Sequence, residues 1–170
     1  PIVYNSSALI FNSHNVFVDT TGGKLYSCGG FNQFSVYDLT NPILPTLIYE
    51  NTAPDAATWS KDMGYVHDVY VRNDTAYMNA GPNGLFVADF STDPPTFLGS
   101  LTTYPHQGYN HSGWLSPLKD IYILADENHG KDLKVLDVSD LTDINTITTF
   151  NNAIDPTKSI PHNVIIKDNL

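Results

Sequence analysis

The sequence predicts an all-β fold, a β-propeller of four-stranded antiparallel blades, on three observations. Strand-like runs of five to seven residues, enriched in β-branched and aromatic side chains, alternate with Gly, Pro, Asn and Asp clusters along most of the chain. The same opening returns four times, as HNVFV at His14, HDVYV at His67, HSGWL at His111 and HNVII at His162. These histidines stand 53, 44 and 51 residues apart, within the period range of propellers and related repeat architectures.

Each repeat divides into the same four runs. The first blade, 14–51, reads HNVFVD (14–19), the turn TTGG, KLYSCGG (24–30), FSVYDL (34–39), the turn TNPILP and TLIYEN (46–51). The second, 67–101, reads HDVYVR, TAYMNAG (75–81), GLFVADF (84–90), the turn STDPP and TFLGSL (96–101). The third, 111–150, reads HSGWLS, DIYILAD (120–126), DLKVLDV (132–138), the turn SDLTDIN and TITTF (146–150). Pro lacks the amide a ladder needs and Gly supplies left-handed backbone, so these clusters end one strand and reverse the chain into the next. Only the connector 52–66, with AATWSKDMG inside it, has room for a helical turn or two. A β-sandwich also uses short strands, but it does not require every quartet to restart on the same residue.

Partial blades are expected at 1–13, where IVYNSSALIF (2–11) reads as an outer strand, and at 162–170, where HNVIIKDNL reads as a first strand. A propeller closes with about 4–8 blades, so three blades and two fragments make an incomplete ring, to be completed by further sequence or by another chain.

With 18 acidic and 8 basic residues the net charge is −10, a field that repels nucleic acid and anionic membrane surfaces. No apolar run approaches the ~18–20 residues that cross a bilayer as a helix. A single cysteine, Cys28, rules out an internal disulfide. Sequons at Asn5, Asn73 and Asn110, with low lysine and abundant Asn, Thr and Tyr, point towards an extracellular or cell-surface protein.

LKVLDVSD (133–140), GLFVADFSTDPP (84–95) and FSVYDLTNPILP (34–45) resemble the LVIVD repeat of bacterial surface and secreted proteins, the choice-of-anchor B family. The resemblance spans roughly residues 10–170, carried by the His-headed first strand and the Asp-ending third strand recurring in order. It implies a propeller, export and, in many relatives, attachment through a separate C-terminal anchor. It implies no defined activity.

A residue heading the innermost strand of a blade lies at the top rim of the central channel, so His14, His67, His111 and His162 are expected to line an arc of one ring. Three readings fit that ring. Each imidazole can bracket a backbone carbonyl of the adjacent blade, a structural role that repetition alone explains. Several imidazoles converging on an axis can instead ligate a transition metal such as zinc, copper or iron, although no H-x-x-x-H or H-E-x-x-H spacing is present. A third role is acid–base work on an organic substrate by imidazoles kept neutral by one another. The loops between second and third strands open on the same face, which adds Asn32, Asn83, Asp126, Glu127, Asn128 and His129 to the expected pocket, with His106 from the preceding connector. Trp59 and Tyr65 on one connector, and Tyr104 and Tyr109 on another, are placed to wall it. Asp38, Asp89 and Asp137 are expected to cap the turns that follow them.

No nucleophile elbow, phosphate loop or dinucleotide fingerprint occurs. Two functions remain. One is a binding module that presents the His-lined face to a protein, peptide or glycan. The other is a metal-dependent enzyme, of oxidase or hydrolase type, with its ion on the ring.

Overall fold

A computed structural model of the chain describes residues 2, 4, 5, 9–151, 155 and 157–167. The first sheet comprises β1 (Asn15–Asp19), β2 (Lys24–Cys28), β3 (Phe34–Asp38) and β4 (Thr46–Glu50). After the short helix α1 (Thr58–Met63) comes a second sheet of β5 (Asp68–Arg72), β6 (Thr75–Asn79), β7 (Leu85–Asp89) and β8 (Thr96–Leu101). The third is formed by β9 (Asn110–Leu115), β10 (Ile121–Asp126), β11 (Leu133–Asp137) and β12 (Asn145–Phe150). In all three sheets the strands lie in chain order, each antiparallel to the next. The twelve strands therefore fall where alternation and turn chemistry place them, within a residue or two.

The three sheets repeat in detail. In each, the ladder between third and fourth strands slips at the same place, between Val36 and Tyr37, Val87 and Ala88, and Val135 and Leu136. A bulge there sharpens the twist of the outer strand pair. The aspartate ending each third strand accepts from the amide two residues on: Thr40 to Asp38 (2.6 Å), Ser91 to Asp89 (2.7 Å) and Ser139 to Asp137 (2.9 Å). The expected capping role is thus the observed one.

Core packing explains the strand composition. Tyr26, Cys28, Phe34 and Val36 of the first sheet meet Val69, Val71, Ala76, Met78, Phe86 and Ala88 of the second. Tyr77, Leu85 and Val87, alternating with those residues, point the other way onto Leu115, Tyr122, Leu124 and Leu136 of the third sheet. The second sheet is buried on both faces, so TAYMN and LFVAD read as nearly continuous apolar runs. On the outward face of the first sheet, Val16 and Val18 are half exposed, although their counterparts Val69 and Val71 are buried.

The loop after β11 closes over β8. A Cβ on Gly99 would lie 1.8 Å from the Leu141 carbonyl oxygen, so only glycine fits beneath that loop. Gly99→Ala is expected to lower stability by about 3 kcal/mol, the upper range for overpacking, as read by urea denaturation.

Some expectations change. Among the described residues neither 2–13 nor 162–167 contains a strand, because no neighbouring backbone pairs with them in a ladder; residues 1, 3, 6–8 and 168–170 of those fragments lie outside the described set. Asn110, one of the sequon residues, is fully buried and donates its amide to the Gly84 carbonyl, so the folded chain offers no glycan acceptor there. Among the described residues no helix is long and apolar enough to cross a membrane.

Candidate metal centre

The first strands of the sheets pack side by side, β1 against β5 and β5 against β9. The amides of His14 and His67 hold equivalent ladder positions, donating to the carbonyls of Cys28 (2.7 Å) and Asn79 (2.8 Å). One repeated backbone position thus delivers the first two imidazoles to a common row, and His111, the second residue of β9, joins them from the third sheet. Ring centroids are 4.0 Å apart for His14 and His67, 4.2 Å for His67 and His111, and 4.0 Å for His111 and His162. The two central imidazoles are buried and the two outer ones exposed. Four imidazoles expected on one arc are therefore brought together.

Hydrogen bonds sort the ring nitrogens. His67 Nδ1 lies 3.2 Å from the His111 carbonyl oxygen in the neighbouring sheet. As donor to that carbonyl, Nδ1 carries the proton and leaves the Nε2 lone pair of a neutral ring free. His111 Nε2 is 2.9 Å from His162 Nε2. The carboxylate of Glu127 sits astride that pair, Oε2 at 3.8 Å from His111 and Oε1 at 3.6 Å from His162. One ligand atom each from His67, His111 and Glu127 lies within 4.8 Å of the others. His111 Nδ1 is buried without a partner among the described residues, the kind of polar orphan that functional sites retain.

Burial holds these rings neutral. His111 is pushed down to about 4, first by loss of solvent and then by His67, with Glu127 opposing. His67 is lowered for the same first reason, reinforced by His14. At neutral pH the two central rings, His67 and His111, are uncharged nitrogen donors.

Tyr109 meets the His67 ring edge-on at 5.4 Å and Tyr65 lies 6.5 Å from it, so these two of the expected aromatic walls flank the row, while Trp59 stacks with Tyr49 and Phe97 away from it. Glu127 is fixed from behind: its amide donates to the Tyr109 carbonyl (2.8 Å), and Tyr109 N donates to Asn128 Oδ1 (2.6 Å). Asp126, the preceding residue, turns the other way and is fully buried. It accepts from Tyr104 Oη (2.7 Å), Gly108 N (2.9 Å) and Lys134 Nζ (2.6 Å).

Of the loop residues expected in the pocket, only Glu127 reaches the imidazoles. Asn32 pairs with Glu50, Asn83 holds the Met63 carbonyl at the end of α1, and Asn128 braces the 104–109 connector. His106 and His129 are exposed. Tyr104, expected on the pocket wall, is instead buried beneath the site on Asp126, and Lys134, which anchors the site with it, had no expected role. A lysine at the same strand parity as Leu136 in LKVLD was the available signal, since a lysine aimed into a core requires a buried acid.

Two imidazoles and a carboxylate form a donor set that suits zinc and neighbouring first-row metals. Searches against family models and against curated proteins match nothing to this chain.

Proposed function

We propose that the three sheets are consecutive blades of a β-propeller exposed outside the cell, and that the row of imidazoles on its axis binds one divalent transition-metal ion. The observation that carries this reading is the convergence of His67, His111 and Glu127 within 4.8 Å. Bracketing and ligation are then one device rather than rivals. A ligating imidazole characteristically donates its second nitrogen to a carbonyl, and His67 Nδ1 does so to His111. Zinc, copper and iron all accept two imidazoles and a carboxylate.

The propeller is supported by the shared strand order, the bulge repeated at one register, the adjacency of β1, β5 and β9, and the half-exposed valines on the outward face of the first sheet. Further blades, from more sequence or another chain, would cover such faces. Export rests on the resemblance to LVIVD-repeat proteins. The module would hold donor groups of a protein, peptide or glycan at positions beyond its protein ligands, which ions of coordination number five or six provide. A metal-dependent enzyme is the second reading, favoured by the same three-ligand count, because catalytic ions keep positions open where structural ones do not.

Calorimetric titration of zinc into untagged, chelator-treated protein tests this. One ion per chain is expected, with affinity falling at least tenfold in both His67→Ala and Glu127→Gln, the least that losing a supporting group costs. Absence of stoichiometric binding, or binding unchanged in both variants, overturns it.

A further inference from the structure

Resting on that metal reading, we infer that His162 is the fourth ligand and that the ion clamps residues 160–167 onto the third sheet, as the inner strand of a following blade. The segment repeats the geometry of the other three openings without their backbone support. HNVII matches HNVFV and HDVYV, and its imidazole meets His111 edge-on with ring centroids 4.0 Å apart, the separation at which His14 lies tilted against His67. Yet His14 and His67 are held by ladder amides, whereas residues 160–167 form no strand. Among the described residues they are attached through side chains, with one backbone contact at the preceding Ser159. Ser112 Oγ donates to the His162 carbonyl (2.6 Å), Gly130 N donates to the Ser159 carbonyl (3.4 Å), and His162 Nε2 meets His111 Nε2. Beyond His162, Asn163, Val164 and Ile165 share a cavity of about 160 Å³ with Phe17, Tyr70 and Trp114 of the inner strands. The segment is seated where a fourth inner strand belongs and is weakly tied there.

The nitrogen separation fits the role. Two nitrogens about 2.1 Å from one zinc ion at the tetrahedral angle are about 3.4 Å apart; His111 and His162 stand at 2.9 Å, so a parting of about half an ångström, small for an exposed side chain such as His162, admits the ion between them. The Glu127 oxygens face both rings. An ion on this pair would join β9, the loop after β10 and the 160–167 segment, with His67 adding the start of β5. Binding energy at the centre would thereby stabilise the docked segment by mass action.

The test is limited proteolysis with subtilisin, alongside the zinc titration. Cleavage within 159–167 follows the undocked population, so saturating zinc is expected to slow it at least tenfold. In His162→Ala, whose side chain is largely exposed and dispensable for packing, zinc should still bind through the other three ligands, about 10–100-fold more weakly, and should leave the cleavage rate unchanged. Zinc binding with unaltered cleavage in the unmodified protein overturns the clamp and leaves the metal site standing. No zinc binding at all overturns both.

Discussion

Replacing Lys134 with methionine lowers the unfolding free energy by about 3–5 kcal/mol, the cost of breaking a buried ion pair by removing one partner. Both charges of the pair are fully buried, at 2.6 Å. Methionine keeps most of the lysine's length, so the loss measures charge rather than volume. Asp126 retains Tyr104 and Gly108 as donors but loses the cation that balances it, and Asp132 loses its partner at the carbonyl oxygen. At about 2–4 °C per kcal/mol for a chain of this size, Tm falls by about 10 °C. Asp137→Asn, on an exposed turn, should change stability by less than about 0.5 kcal/mol in the same urea experiment. The metal centre responds too. With Asp126 released, the 104–109 connector loses its anchor and Glu127 its fixed backing, so zinc affinity falls about tenfold, as for loss of a supporting group. A change below about 1 kcal/mol would mean that solvent reaches the pair and that it behaves as a surface contact.

The architecture was legible because repetition and parity reinforce each other. A third strand buried on both faces, such as LFVAD, and a first strand such as NVFVD differ in composition, but each ends at an Asp before a turn, and each quartet of strands restarts at a histidine. Convergence of four imidazoles followed from that recurrence alone. The loop residues were harder, because their direction depends on contacts distant in sequence. Asp126 and Glu127 are adjacent, and both read as pocket acids. The β9–β10 ladder shifts register between Ala125 and Asp126, which sends Asp126 into the core and its neighbour to the imidazoles. Nothing local announces that shift. Asn32 and Asn83 likewise sit in the right loops but serve Glu50 and the end of α1, partners fixed by tertiary packing. The metal set was legible as four histidines; its carboxylate member was one of seven loop candidates of equal standing.

In metal-free buffer, stability is expected to fall by about 3 kcal/mol between pH 6.5 and 4 on account of His111, and His111→Gln should remove that slope. The sign follows from proton counts. The unfolded imidazole protonates near its ordinary value of 6.5, while the folded one stays neutral down to about 4. Across that window the unfolded chain carries the extra proton, so the stabilisation is complete above 6.5 and is lost as pH falls towards 4. His67, also lowered, adds in the same direction. Asp68 opposes both, because burial raises its carboxyl and the folded state takes its proton first. Asp38, Asp137, Asp140 and Asp155 are lowered by hydrogen bonds in their turns, so their contributions are lost only below about pH 4, outside the window. Glutamine shifts the whole curve by whatever its own packing costs, so the readout is the difference in slope between the two proteins in urea titrations at half-unit pH steps. Parallel curves would mean that water reaches His111 and that the imidazole row is solvated. In that case the neutral donors required for ligation would have to be made by the metal rather than supplied by the fold.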